Sequence, residues 1–221
     1  MTIHVMLVDD HAVVRSGYRR LIDAEPGLRV VAEVETLAEA QDAMRLHEVN
    51  VVVMDLTLRE ESGLEGIKRL SARYPHLRIL VFSMHDHTVY VTQALRHGAL
   101  GYITKYARPM EMISALRKVA AGQRAFSSDV SSVLAAHAVQ GQTPLHELSP
   151  REFEVLRMTA HGLTPSDIAH HLKLSPKTVF NHLSMIRNKL NLRSDVQLYR
   201  LALQEGLVTD TAPTQSDHRF R

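Results

Sequence analysis

The sequence predicts a two-domain protein, in which a doubly wound α/β domain with a five-stranded parallel sheet precedes an all-α domain. Three observations support this prediction. Apolar strand patterns alternate with helical patterns in the first part, elements from residue 148 onward have helical spacing, and a Gly- and Pro-containing break lies at 140–144. We expect an α/β domain at 1–122, a helical linker at 123–145, a helical domain at 146–208 and a flexible tail at 209–221.

Short apolar strands and amphipathic helices define the first domain. The uninterrupted apolar run at 51–54 is typical of a strand buried on both faces, and Pro109 suits the first turn of a helix. The predicted strands are 3–8, 28–34, 51–54, 78–82 and 101–103, and the predicted helices are 12–24, 37–46, 63–73, 88–97 and 109–121. In such a sheet, binding sites form at the carboxyl ends of the strands.

Proline-marked start signals introduce the helices of the second domain. Ser149 precedes a proline and is followed by Glu152, which predicts a capping box, and Thr164 and Ser175 also precede prolines. A final helix is expected at 194–204. The helix from about 176 to 190 has one apolar face for packing, formed by Val179, Leu183, Ile186 and Leu190.

Composition narrows the class of protein. The 221 residues contain 26 basic and 24 acidic side chains, a net charge of +2 that does not by itself indicate nucleic-acid binding. Cysteine is absent, which excludes disulfides, thiol nucleophiles and thiolate metal sites. No apolar run is long enough for a membrane span, and the first residues lack a secretion signal. We expect a soluble, cytoplasmic protein without a membrane partner.

Charged and hydroxyl side chains follow four of the five predicted strands. Asp9 and Asp10 end the first strand, Asp55 the third, Ser83 follows the fourth and Lys105 the fifth. Because these ends meet at one edge of a parallel sheet, we expect the side chains to converge. Clustered carboxylates repel one another unless a cation joins them, and Mg²⁺ prefers oxygen ligands. One carboxylate can then act as a nucleophile toward phosphorus.

The motifs around these residues resemble the receiver domain of response regulators, over residues 3 to about 122. The matching pieces are 7–11 (LVDDH), 54–56 (MDL), 63–66 (GLEG) and 98–105 (GALGYITK). The resemblance implies a flavodoxin-like fold, phosphorylation of Asp55 by a sensor histidine kinase, and Mg²⁺ as cofactor. It assigns Asp9, Asp10, Asp55 and the backbone carbonyl of Thr57 to Mg²⁺, Lys105 to the phosphoryl group, and Ser83 and Tyr102 to the conformational switch. Leu58-Arg59 departs from the Met-Pro common in the family, which puts the kinetics of phosphorylation in doubt.

The second domain resembles the LuxR-type helix-turn-helix domain from Leu148 to Leu207, through pieces such as 148–152 (LSPRE), 167–169 (DIA) and 174–179 (LSPKTV). A receiver followed by this domain is typical of NarL/FixJ-like response regulators, which implies transcription regulation rather than enzymatic turnover. The implied partners are DNA with a palindromic operator, RNA polymerase and a second copy of the chain. Asn181 suits adenine, whereas basic and hydroxyl side chains suit phosphates. The predicted DNA contacts are Lys177, Thr178, Phe180, Asn181, Ser184, Arg187 and Lys189.

Several alternatives stay open on sequence grounds. The chain could be a receiver-like regulator that binds DNA without phosphorylation, an aspartyl-phosphate phosphotransferase, or a promoter-binding polymerase subunit. Phe180 suits either a thymine methyl group or packing within the domain. His85-Asp86-His87 is a weak candidate for a transition-metal site, because no second ligand cluster accompanies it.

Overall fold

The computed structural model describes residues 2–58, 61–140 and 143–208. Arg59, residues 141–142 of the break predicted at 140–144, and the tail predicted at 209–221 lie outside these residues. The strands are β1 (Ile3–Val8), β2 (Leu28–Val34), β3 (Val51–Met54), β4 (Arg78–Ser83), β5 (Gly101–Thr104) and β6 (Ala125–Phe126). The α-helices are α1 (Ala12–Asp23), α2 (Leu37–Leu46), α3 (Gly63–Arg73), α4 (Thr88–Arg96), α5 (Pro109–Ala120), α6 (Ser128–Gln140), α7 (Pro150–Ala160), α8 (Pro165–His171), α9 (Pro176–Lys189) and α10 (Asp195–Gln204).

The strands form one parallel sheet in the order β2-β1-β3-β4-β5-β6 among the described residues. This confirms the predicted doubly wound α/β class. The sheet has one strand more than predicted, because Ala125 and Phe126 pair with Gly101 and Tyr102. A two-residue strand is too short to produce a periodic sequence signal.

Two apolar layers cover the sheet. Leu64 and Ile67 of α3 pack on one face, and Leu116 and Val119 of α5 pack on the other. All four residues of β3 are buried, as expected for a central strand between two helical layers. Each fully buried aliphatic side chain contributes about 1.5–3 kcal/mol to the free energy of folding, so these layers hold the strand ends in fixed positions.

The second domain consists of α7 to α10, and its helix starts follow the predicted signals. Capping boxes at Ser149 and Thr164 begin α7 and α8, and the Ser175 side chain accepts a hydrogen bond from the Thr178 amide at the start of α9. Asn191 adopts a φ of 51°, the left-handed conformation that asparagine tolerates after a helix. The apolar face of α9 closes the core of the domain, with Val179, Leu183 and Ile186 buried.

The two domains contact each other through α3, α4 and the segment that enters the second domain. The apolar core on the α3 face of the sheet continues into the helical domain. Tyr90 of α4 packs edge-on against Phe153 of α7, with ring centroids 5.3 Å apart. The buried Gln93 side chain donates a 2.6 Å hydrogen bond to the carbonyl of Leu145, in a one-turn 3-10 helix before α7.

The segment 123–145, predicted to be a helical linker, contains β6, α6 and the first two residues of this 3-10 helix. It is attached to the sheet next to the predicted lysine, because the Thr104 hydroxyl donates a 2.6 Å hydrogen bond to Asp129 of α6. Among the described residues, no helix is both long and apolar enough to span a bilayer.

Candidate functional site

The predicted acidic cluster forms at the carboxyl end of the sheet. Val8 of β1 is in register with Met54 of β3, which places the residues that follow, Asp9 and Asp55, side by side. The side chains of Asp9, Asp10, His11 and Asp55 can offer ligand atoms that lie within 4.8 Å of one another. Asp9 and Asp55 are buried, so their charges are poorly screened by water.

Lys105 joins this cluster from the end of β5. Its Nζ lies 2.6 Å from Asp9 Oδ2 and 2.7 Å from Asp55 Oδ2. Burial raises the pKa of Asp55, and the ammonium group of Lys105 opposes this shift. Burial tends to lower the pKa of Lys105, but Asp55 and Asp9 outweigh it and raise that pKa. Lys105 is therefore held as a cation between two carboxylates.

The donor set of this cluster fits Mg²⁺. Three carboxylates face a single ammonium group, which leaves negative charge that a divalent cation would balance. Carboxylate oxygens are also the ligands that Mg²⁺ prefers. The amide of Thr57 donates a 3.2 Å hydrogen bond to Asp55 Oδ1, which keeps the Thr57 backbone beside the cluster.

His11 contacts both aspartates of the acidic pair, which its sequence position alone did not indicate. Its amide donates a 2.8 Å hydrogen bond to Asp9 Oδ1, and its Nδ1 lies 2.9 Å from Asp10 Oδ1. Adjacency to the acidic pair was the only sequence signal. The contacts give His11 a role in orienting the two carboxylates.

The predicted switch residues lie on neighbouring strands. Ser83 and Tyr102 are both fully buried. The Tyr102 hydroxyl donates a 2.7 Å hydrogen bond to the carbonyl of His85, and the His85 amide donates to Ser83 Oγ at 3.3 Å. The aromatic ring thus already points inward in this structure. The part of Tyr102 in a conformational switch stays a prediction.

Sequence reasoning missed the importance of His85. Its Nε2 lies 3.1 Å from Thr57 Oγ1, and its ring stacks on Tyr90 with centroids 4.1 Å apart. Burial, followed by the positive charge of Arg157, lowers the pKa of His85 to about 4. The ring is therefore neutral near pH 7. A loop histidine whose partners are distant in sequence carries no periodic signal, so these contacts could not be predicted.

A polar contact also joins the domains beside this stack. Ser62, before α3, donates a 3.3 Å hydrogen bond to Glu154 of α7. Glu154 in turn forms a 3.0 Å ion pair with Arg157, and it raises the pKa of that guanidinium. Both partners of this ion pair lie on α7, and Glu154 links them to the receiver-like domain.

The outer face of α9 is exposed. Lys177, Phe180, Asn181 and Ser184 all point to solvent, opposite the buried apolar face. Phe180 is 58% exposed, so much of its ring is available for contact with DNA. The described residues of the first domain leave this face exposed. Helix α9 therefore presents basic, amide and apolar groups together, as a recognition helix does.

Three other predicted DNA contacts have partners inside the domain. Lys189 Nζ lies 2.6 Å from Glu152 Oε2, Arg187 forms a 2.6 Å ion pair with Asp195, and Thr178 Oγ1 lies 2.8 Å from Ser175 Oγ. Burial tends to raise the pKa of Glu152. Hydrogen bonds from Lys189 and from the capping box outweigh burial, so the pKa lies below its ordinary value. Lys189 thus contributes to the stability of α7, and its contact with DNA stays a prediction.

Helix α10 packs on the domain through Leu198 and Ala202. Val196 and Tyr199 lie on its outer side, where Val196 is 62% exposed. Two neighbouring apolar side chains on an exposed helix are suited to a protein–protein contact.

The geometry defines an acidic site with one lysine at the carboxyl end of an α/β domain, and this domain is joined to a helical domain in which α9 has the character of a recognition helix. Comparison with known families supports the same division. Residues 5–117 match the response regulator receiver domain, and residues 146–202 match the bacterial regulatory proteins of the luxR family.

Relatives match over nearly the whole chain. Response regulator UvrY of Escherichia coli (strain K12) is 34% identical over 208 residues, covering 93% of this chain and 95% of that protein. Response regulator GacA of Pseudomonas aeruginosa is 35% identical over 209 residues, covering 93% and 98%. RcsB of Salmonella enterica serovar Typhimurium, solved bound to a promoter in the presence of phosphomimetic BeF3-, has a TM-score of 0.68, is 26% identical, and covers 91% of this chain and 98% of its own.

The chain belongs to the NarL/FixJ family of response regulators. It is a two-component transcriptional regulator with a receiver domain and a LuxR-type DNA-binding domain. The predicted family and function are thereby confirmed.

Proposed function

We propose that the regulator is activated when Asp55 accepts a phosphoryl group from a phosphohistidine of a sensor histidine kinase. The observation that supports this most directly is the position of Lys105, whose Nζ is 2.7 Å from Asp55 and 2.6 Å from Asp9. A cation at this position neutralises charge on the transferred group. Asp9, Asp10, Asp55 and the Thr57 carbonyl would hold Mg²⁺, which supplies electrostatic stabilisation of the phosphoryl oxygens when bound.

The transfer is a substitution at phosphorus. A carboxylate oxygen of Asp55 forms the new P–O bond, the P–N bond of the donor histidine breaks, and its electron pair returns to the imidazole nitrogen. With acetyl phosphate as donor, a P–O bond breaks instead and acetate leaves. Lys105 then pairs with the phosphoryl oxygens and remains beside Asp9.

We further propose that the exposed face of α9 enters the major groove of DNA. Asn181 would read adenine, Phe180 would contact a thymine methyl group, and Ser184 and Lys177 would contact the backbone or base edges. Arg187, Thr178 and Lys189 would reach phosphates at the edges of this surface. RcsB, a relative in structure, was solved bound to promoter DNA. Dimerisation through α10 would match a palindromic operator and present the regulator to RNA polymerase.

The test compares wild type with Asp55→Ala after incubation with acetyl phosphate and Mg²⁺. Intact-mass measurement should show one added phosphoryl group in wild type and none in the variant, and DNA binding should tighten only in wild type. Asp42→Ala, which removes an exposed carboxylate on α2, is the matched control and should behave as wild type. If acetyl phosphate does not modify the wild type, the reaction is repeated with a partner histidine kinase as the phosphoryl donor. Equal modification of Asp55→Ala and wild type would contradict the proposed site.

One observation favours a second candidate function, regulation by DNA binding without phosphorylation. The outer face of α9 is exposed to solvent next to the described part of the receiver, which would allow recognition without release from the receiver. In that case Asp55→Ala would bind operator DNA as tightly as phosphorylated wild type. A weaker affinity of Asp55→Ala would favour the phosphorylation-dependent function.

A further inference from the structure

The loop between β4 and α4 places His85 in contact with both the phosphorylation site and the domain interface. The loop lies between Ser83, at the end of β4, and Thr88, at the start of α4. His85 is partly buried, although its loop is short. The polar edge of its ring, at Nε2, contacts Thr57, and a flat face of the ring contacts Tyr90.

The polar edge of the ring contacts the site. Nε2 lies 3.1 Å from Thr57 Oγ1, and the Thr57 amide donates to Asp55 Oδ1 at 3.2 Å. Two hydrogen bonds therefore separate His85 from the carboxylate that we propose to be phosphorylated. A change in the charge or direction of Asp55 acts on the Thr57 backbone first and on His85 next.

The flat face of the ring contacts the interface. It stacks on Tyr90, with centroids 4.1 Å apart and planes within 5°. Tyr90 packs edge-on against Phe153 of α7 at 5.3 Å, and Phe153 is fully buried in the DNA-binding domain. Packed aromatic rings move together, because a gap between them forfeits their contact energy. A displacement of His85 is thereby carried to α7.

The backbone of His85 is bonded to both predicted switch residues. Its amide donates to Ser83 Oγ, and its carbonyl accepts from the Tyr102 hydroxyl. A movement of Ser83 or Tyr102 therefore changes the position of the same residue that contacts Thr57 and Tyr90.

We propose that His85 is a positioning residue whose side chain transmits phosphorylation of Asp55 to the DNA-binding domain through Tyr90 and Phe153. This inference rests on the proposed phosphorylation of Asp55. The polar edge of the ring connects it to the site, and the flat face connects it to α7. Loss of either connection uncouples the two domains while leaving each domain folded.

The experiment measures the distance between the domains with and without phosphorylation. Because the sequence contains no cysteine, spin labels can be attached at Leu46→Cys in α2 and Ser166→Cys in α8, both at exposed positions. Distances are measured by pulsed electron paramagnetic resonance after dilution into unlabelled protein, so that contacts between copies do not contribute. Acetyl phosphate and Mg²⁺ supply the phosphoryl group, and samples are compared at equal phosphorylated fractions determined by mass.

Three variants separate the two connections. His85→Phe keeps a stacking ring and loses the Nε2 contact with Thr57, Tyr90→Leu loses the stack, and Tyr90→Phe keeps both ring contacts as the matched control. We expect wild type and Tyr90→Phe to change their distance distribution on phosphorylation. His85→Phe and Tyr90→Leu should lose this change, and their ratio of DNA affinities with and without phosphorylation should fall toward one.

The outcomes distinguish this inference from the proposed function. Absence of modification at Asp55 in wild type, even with a kinase, refutes the proposed function and this inference with it. Modification of Asp55 with a wild-type response in His85→Phe overturns the role of His85 alone. A wild type that is phosphorylated without any change in distance also overturns it. Circular dichroism serves as the control for the folding of each variant, and its extent of phosphorylation serves as the control for an intact receiver.

Discussion

Replacing Gln93 with leucine should loosen the contact between the two domains. The Gln93 side chain is buried on α4, where its Nε2 donates to the Leu145 carbonyl at 2.6 Å and its Oε1 lies 3.2 Å from His97 Nε2. Leucine has a similar volume and an equally good helix propensity. The substitution therefore removes the hydrogen bond between the domains without opening a large cavity or weakening α4.

The magnitude follows from what remains bonded to the Leu145 carbonyl. A buried polar group left without a partner costs about 1–3 kcal/mol. The Leu148 amide also donates to this carbonyl, at 3.2 Å, so the oxygen keeps one partner and the lower part of that range applies. A cost of about 1–2 kcal/mol corresponds to a roughly 5- to 30-fold larger equilibrium constant for opening of the contact.

Amide hydrogen exchange measures this constant directly. Exchange of a peptide spanning residues 145–148 should accelerate about 5- to 30-fold in Gln93→Leu, because exchange follows the population of the open state. The matched control is Gln123→Leu, the same chemical change at an exposed position between α5 and β6. Unchanged exchange in Gln93→Leu would show that this hydrogen bond does not hold the domains together.

Three further substitutions test the DNA-binding domain. Leu183→Ala should lower the free energy of unfolding of this domain by about 2–5 kcal/mol in chemical denaturation, because the Leu183 side chain on the inner face of α9 is buried; a loss well below 1 kcal/mol would contradict that packing. Glu152 has a lowered pKa in the folded domain, so its carboxylate stabilises the fold at pH values above the ordinary pKa of glutamate, and this contribution is lost as pH falls through the folded pKa; Glu152→Gln should flatten that acid-side decline, and an unaltered slope would refute it. Val196→Glu should weaken dimerisation on DNA in sedimentation measurements, whereas Gln204→Glu on the same helix should not; equal dimerisation of both variants would exclude this face of α10.

Much of the fold was predictable because its signals are local. The bounds of β3 and α3 agree with the predicted 51–54 and 63–73, since an apolar run and a strong amphipathic pattern mark them. The capping box at Ser149 is also as predicted. Strand β6 was missed because two residues cannot show a period.

The acidic cluster was predictable for a topological reason. Parallel strands of a doubly wound sheet end at one edge, so residues far apart in sequence, such as Asp9, Asp55 and Lys105, must meet there. The rule uses strand order alone and needs no side-chain detail.

The arrangement of the two domains was not predictable in this way. The pairing of Lys189 with Glu152 and the stack of His85 on Tyr90 depend on how separate elements dock. Charge patterning indicated Lys189 as a phosphate contact, yet a lysine on a helix gives no sign of a carboxylate 37 residues away. Docking is decided by side-chain shape across elements, which has no period in the sequence.

The short strand β6 has a practical consequence for cutting the protein into domains. It pairs with Gly101 and Tyr102, and so covers part of what would otherwise be the free edge of the sheet at β5. An uncovered parallel edge offers unpaired amides and carbonyls to other chains and promotes aggregation. A receiver fragment that stops at residue 122 would lack this cover, whereas one extended through residue 127 would retain it. The longer fragment should be the more soluble of the two at high concentration.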